Sequence, residues 1–174
     1  MQVPPNSDLT LGMVCVDKSE PGRCTWRMTA HERFANPAGT MQGGFLAAFA
    51  DSSMGAAAVT FVQGRKVFSA NAEMKISFLA PVPPGAILTC TAEVVSGGST
   101  VAFVEASIFA STRVSSGDGT TAGGEPGGGT DGGPGGGTDG GPAGGTDGGP
   151  AGTPAGGGRL VARANSTYIF RPRD

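Results

Sequence analysis

The sequence predicts an α+β fold in which one curled antiparallel sheet wraps around a single long helix. Three observations carry this. Residues 43–61 are apolar around the whole helical wheel and long enough for about five turns. The segments around them are short and alternate in polarity, as strands do. Their order is two strands, one helix and four strands, and a lone helix can be buried only if the sheet curls over it.

The first two strands are expected near 11–17 (LGMVCVD) and 23–30 (RCTWRMTA), with Glu20-Pro21-Gly22 as the turn between them. The loop HERFANPAGTMQ follows, and Pro37 and Gly39 mark turns in it. The helix then opens at Gly43-Gly44 and carries Phe45, Leu46, Phe49, Met54 and Val59 among alanines, residues that lose little on becoming helical. Asp51 interrupts this apolar stretch. Either it lies on a narrow exposed stripe with Ser52, or it is a carboxylate held in a cleft for chemistry.

Beyond the helix, Ala72, Met74, Ile76 and Phe78 alternate with Glu73, Lys75 and Ser77, the pattern of a half-buried strand. Pro81, Pro83, Pro84 and Gly85 end it. AILTCTAEVVS (86–96) is the next strand, Gly97-Gly98 a turn, and TVAFVEASIFASTR (100–113) the strand after that. RLVARANSTYIF (159–170) is the last, in what reads as a meander.

Residues 115–158 break the pattern. The unit TDGGPxGx starts at Thr130, Thr138 and Thr146, and no large apolar side chain occurs in the segment. Such a composition cannot offset its ordering entropy and is expected to be disordered. The period of eight excludes a collagen repeat. The chain therefore divides into 1–114, the low-complexity insertion 115–158, and 159–174. The insertion falls where an adjacent hairpin is expected, and lengthening that loop costs about 2 kcal/mol.

The chain has 12 basic and 14 acidic residues; the insertion holds Asp118, Glu125, Asp131, Asp139 and Asp147 and no basic one. The remainder is mildly basic and has no Lys/Arg run, so no nucleic-acid partner is expected. Three cysteines are too few for a disulfide framework; free thiols and a cytoplasmic location are expected. No signal peptide or membrane span is expected, since MQVPPNSDLTLG lacks an apolar stretch and Asp51 breaks the longest apolar run.

Asn36-Pro37-Ala38-Gly39-Thr40-Met41-Gln42-Gly43-Gly44, followed by Asp51 in the helix, resembles the hotdog-fold acyl-CoA thioesterases, specifically the PaaI-type (phenylacetyl-CoA thioesterase-like) branch. The family pattern is N-x-x-G-x-x-H-G-G and then an acid. The similarity continues through 72–85, 99–109 and 158–164. Three departures stand out: Gln42 replaces the usual His, Asn71 replaces a Ser/Thr on the strand after the helix, and Ser99 replaces a basic residue. The resemblance implies an aryl- or medium-chain acyl-CoA substrate, with CoA part of that substrate, and no separate cofactor or metal.

Thioester hydrolysis needs a base or nucleophile at the carbonyl carbon and a donor for the developing oxyanion. Backbone N–H groups at a helix start are unpaired and lie at the positive end of its dipole. Gly43 and Gly44 would let a thioester oxygen approach them, or else merely allow close packing. Asp51 lies eight residues beyond Gly43, about 12 Å along the axis, too far for one thioester group to meet both in a single chain. If both act, Asp51 comes from a second subunit with an antiparallel helix, and the family resemblance implies the same homodimer, alone or paired into a tetramer. Asn36 and Gln42 would fix the loop and orient substrate or water, and Asn71 would position water.

His31 is expected to be structural, with no metal cluster to join. Arg65, Lys66, Arg113 and Arg171 are surface charges or CoA-phosphate contacts. Ser52 and Ser53 read as helix hydroxyls and Cys90 as strand packing. Phe45, Phe49, Phe61 and Phe68 could line an acyl tunnel or form core. Two other functions fit the same fold: an acyl-thioester hydratase or dehydratase, which would want a histidine near the helix, and a non-catalytic acyl-CoA-binding module.

Overall fold

A computed structural model describes residues 5–111 and 158–172. Residues 115–157 of the expected insertion lie outside the described residues. Six strands form one antiparallel sheet: β1 (Val14–Asp17), β2 (Arg23–Thr29), β3 (Val67–Phe78), β4 (Ile87–Gly97), β5 (Val101–Ser111) and β6 (Arg159–Pro172). A short helix α1 (Asn6–Leu11) precedes them, and the long helix α2 (Gly43–Phe61) packs against β2 through β6.

Alternation builds the concave face that receives α2. Leu88, Cys90 and Ala92 on β4, Ala102, Val104, Ala106 and Ile108 on β5, and Ala164, Tyr168 and Phe170 on β6 are all buried. Many of these are small, which brings the strands close around the larger Phe49 and Met54 of α2, both at 0% exposure. By length and mean hydropathy (1.2) α2 could also cross a bilayer; here the sheet covers the side bearing Leu46, Phe49, Met54 and Ala57. Its other side, with Ala48, Asp51 and Val59, is exposed.

Three expectations are corrected. The sheet is not a simple meander, because its order is β1-β2-β4-β5-β6-β3. After α2 the chain enters the far edge beside β6, then crosses back through the prolines of 81–84, which lack the N–H to continue a ladder. The first strand begins at Val14, not residue 11, since Leu11 ends α1 and Gly12, at φ 68°, caps that helix in the left-handed region. Finally, Ala72 and Phe78 do not share an inward face with the half-buried Met74 and Ile76. The register shifts between Asn71 and Glu73, so Ala72 is bulged outward, and Phe78 is 52% exposed at the strand end. The hairpin partners β5 and β6 are adjacent, as the placement of the insertion implied.

Candidate active site

The loop before α2 is organised by Asn36. Its Oδ1 accepts from the Ala38 N–H (3.0 Å) and the Thr40 N–H (3.2 Å), while its Nδ2 donates to Thr40 Oγ1 (3.1 Å). This Asx-type closure, with Gly39 at φ 76°, sets the path into the helix. The Met41 N–H donates to the Val82 carbonyl and the Gln42 N–H to the Phe34 carbonyl. Gln42 is the N-cap residue, exposed, and its side chain makes no capping bond. Gly43 and Gly44, the first two helical residues, therefore begin a helix whose leading N–H groups have no intrahelical acceptor. Gly43 opens into a cleft of about 350 Å³ with Thr40, Leu46, Phe78 and Leu79. A Cβ at Gly43 would stand 3.0 Å from Phe78 Cζ, so this glycine lets the ring lie against the helix start.

Asp51 lies two turns on and opens into a different cleft, of about 460 Å³, at the seam where the sheet leaves α2 uncovered. Trp26 of β2 lines one wall, Ser69 and Asn71 of β3 the other, and Asp8 of α1 closes one end. Asn71 Nδ2 donates to Asp51 Oδ1 at 2.5 Å, and the Tyr168 hydroxyl is 3.1 Å from the same oxygen. Ser166 Oγ donates to Asn71 Oδ1 at 2.7 Å. Asp51 is exposed and at the same time held by a side-chain network in this cleft.

Of the expected site residues, the structure groups Asn36, Gln42, Gly43 and Gly44 at the start of α2, and Asp51 with Asn71 two turns later. It does not bring the two groups together within one chain. Four neighbours of Asp51 escaped sequence reading: Tyr168, Ser166, Trp26 and Asp8. Asp8 is buried and accepts from Ser52 Oγ at 2.8 Å, which pins α1 onto α2. Tyr168 is the only tyrosine in the chain, a signal that could have drawn attention to it. Burial, and then the Asp51 charge, push its phenol well above the ordinary value.

The remaining residues have plain roles. Exposed His31 caps the turn at Glu32–Phe34, its Nδ1 accepting from the Arg33 N–H at 3.2 Å. Arg65 donates to the Gly98 and Ser99 carbonyls and lies over the Phe170 ring; Lys66 and Arg171 are exposed, and Arg113 lies outside the described residues. Buried Ser53 donates to the Phe49 carbonyl. Phe49 is core, Phe45 packs on Phe34 at 4.5 Å between centroids, Phe61 stacks near Phe170, and Phe68 is 49% exposed. All three cysteines are free, and burial pushes the Cys24 and Cys90 thiols up to about 12. Among the described residues no group of three or more His, Cys, Asp or Glu side chains could hold a metal.

A helix N-terminus with bare N–H groups can stabilise an oxyanion, and a carboxylate in a cleft can serve as base or nucleophile. Known proteins share this fold. The profile of the thioesterase superfamily matches residues 38–116, a span that includes Gly43, Asp51 and Asn71. Over that span the chain is similar to the thioesterase superfamily, and its fold is that of the PaaI-type hotdog proteins. Human acyl-coenzyme A thioesterase 13 is 29% identical over 98 residues, covering 56% of this chain and 69% of that protein. The Escherichia coli PaaI protein of the phenylacetic acid degradation operon superposes with a TM-score of 0.64 at 16% identity, over 95% of this chain and 84% of that one. A thioesterase family protein from Silicibacter pomeroyi gives 0.67 at 19% identity, over 97% and 91%. The matched profile supports a thioester hydrolase, on a sheet-and-helix fold shared with both solved structures.

Proposed function

We propose that this protein hydrolyses acyl-CoA esters of aryl or medium-chain acids, in sites shared between two chains of a homodimer that can itself pair into a tetramer. The observation that carries the reading is the separation of Gly43 and Asp51 into two clefts of one chain, each with half the chemistry. An antiparallel pairing of α2 with its copy sets Gly43 of one chain opposite Asp51 of the other. The similarity to human acyl-coenzyme A thioesterase 13 supports acyl-CoA as substrate.

In the general-base form, Asp51 takes a proton from water and the water oxygen adds to the thioester carbonyl carbon. The electron pair moves to the carbonyl oxygen, where the Gly43 N–H, backed by Gly44, stabilises it. Collapse breaks the C–S bond, and the CoA sulfur takes the proton back. In the nucleophilic form, a carboxylate oxygen of Asp51 adds to the carbonyl carbon instead and the C–S bond breaks to release CoA thiolate. Water then hydrolyses the mixed anhydride to free acid and the Asp51 carboxylate, and its proton goes to the thiolate. Asn36 keeps the loop that sets the helix start, and Gln42 lies where it can orient substrate or water. Asn71 spends one amide N–H on Asp51 and has a second for substrate or water. His31 lines neither cleft, so a hydratase pairing of histidine with Asp51 lacks its histidine. The reduced thiols fit a cytoplasmic setting.

The test is CoA release from a panel of acyl- and aryl-CoA thioesters by wild type and Asp51→Asn. Turnover that falls by about two to four orders of magnitude in a folded variant supports the reading. Equal activity of the two proteins contradicts it. Tight acyl-CoA binding with no turnover by wild type would make the protein a binding module.

A further inference from the structure

Tyr168 rises from β6 beneath α2 and is 3% exposed. Its hydroxyl is 3.1 Å from Asp51 Oδ1 and 3.1 Å from the Asp51 backbone carbonyl oxygen. Asn71 Nδ2 donates to the same Oδ1. A carboxylate oxygen has two in-plane lone pairs, and here the Asn71 amide and the Tyr168 hydroxyl, whose single proton lies between this oxygen and the backbone carbonyl, converge on one oxygen. Among the described residues no donor reaches Oδ2.

The network has one consistent orientation. The Asp51 carboxylate only accepts, so the Asn71 amide must present its nitrogen to it. The Asn71 oxygen then faces Ser166 Oγ, which lies 2.7 Å from it and 2.6 Å from the Glu73 carbonyl. Ser166 and Tyr168 are two apart on β6 and so share the face turned to α2. Gly55, one turn beyond Asp51, lies beside the Tyr168 hydroxyl.

We propose that Tyr168 is the positioning residue that makes Asp51 react through a single oxygen, Oδ2, with Ser166 doing the same work through Asn71. The proposal rests on the reading of Asp51 as the reacting group. The Tyr168 phenol, buried and facing the Asp51 charge, stays protonated and so remains a donor. With Oδ1 held, the open lone pairs of Oδ2 face the cleft. Without the phenol hydroxyl the carboxylate turns about its terminal torsion, which is broad and soft, and the reactive orientation is populated only part of the time. The loss falls on the chemical step, not on acyl-CoA binding.

Tyr168→Phe, which removes only the hydroxyl, tests this through steady-state CoA release. The expected result is a kcat lower by about ten- to a hundredfold with KM little changed. Combined with Asp51→Asn, it should cause no further fall, because Tyr168 acts through Asp51. Ser166→Ala, which leaves Tyr168 intact, should give a smaller fall of the same kind. A wild-type kcat for Tyr168→Phe beside an inactive Asp51→Asn would overturn the proposal alone. Independent, multiplicative losses in the double variant would also overturn it. Full activity of Asp51→Asn would sink the underlying reading as well.

Discussion

Gly43 and Asp51 stand on the same helix, eight residues and about 12 Å apart, and open into different clefts. Under the proposed function this relationship makes the helix carry two half-sites, which sets the tests that follow.

Gly43→Pro should remove the oxyanion donor without removing the helix. Proline is tolerated at the first helical position, and Gln42, at φ −63° and ψ 131°, already has the extended conformation that a residue before proline needs. Gly43→Ala is the control, since it meets the same Phe78 ring yet keeps its N–H. We expect a loss of about 10²- to 10³-fold in kcat for the proline variant and a small one for alanine. Equal losses would assign the effect to crowding at Phe78.

Much of this was legible in the sequence, because it is local. The apolar run of α2, the period-two strands and the Asn36 turn each follow from residues close in sequence. The place of β3 was not, because an edge pairing with β6 is fixed by contacts about a hundred residues apart. The Ala72 bulge hid similarly, since simple alternation across 72–78 gives no sign of an extra residue. Tyr168 looked like any inward residue of a strand, and only the proximity of Asp51 gives its hydroxyl a task.

Stability should fall at alkaline pH. The Cys24 and Cys90 thiols are held up at about 12 in the fold, whereas an unfolded chain ionises them near 9. Between those values the native state binds more protons, so each thiol costs about 1.4 kcal/mol of stability per pH unit as pH rises. Below pH 9 both are protonated in either state and the effect is absent. Denaturant unfolding from pH 8 upward should show the decline, and Cys90→Ala should flatten its slope. An unchanged slope would contradict the assignment to these thiols.

Deleting residues 118–156 should leave folding and turnover largely intact, because β5 and β6 are paired by their own ladder. Thermal unfolding and CoA release of the shortened chain provide the check. Lost activity in a folded deletion would mean that the segment contributes to the site.

The claim that each site is shared between two chains is tested most directly by subunit complementation. Asp51→Asn and Gly43→Pro, each inactive alone, are co-expressed and the mixture is assayed for CoA release. A mixed dimer has both lesions in one site and none in the other. Random pairing should therefore restore about a quarter of wild-type activity. A mixture no more active than its parents, with mixed dimers present, would place Gly43 and Asp51 of one chain in the same site or remove one of them from the chemistry.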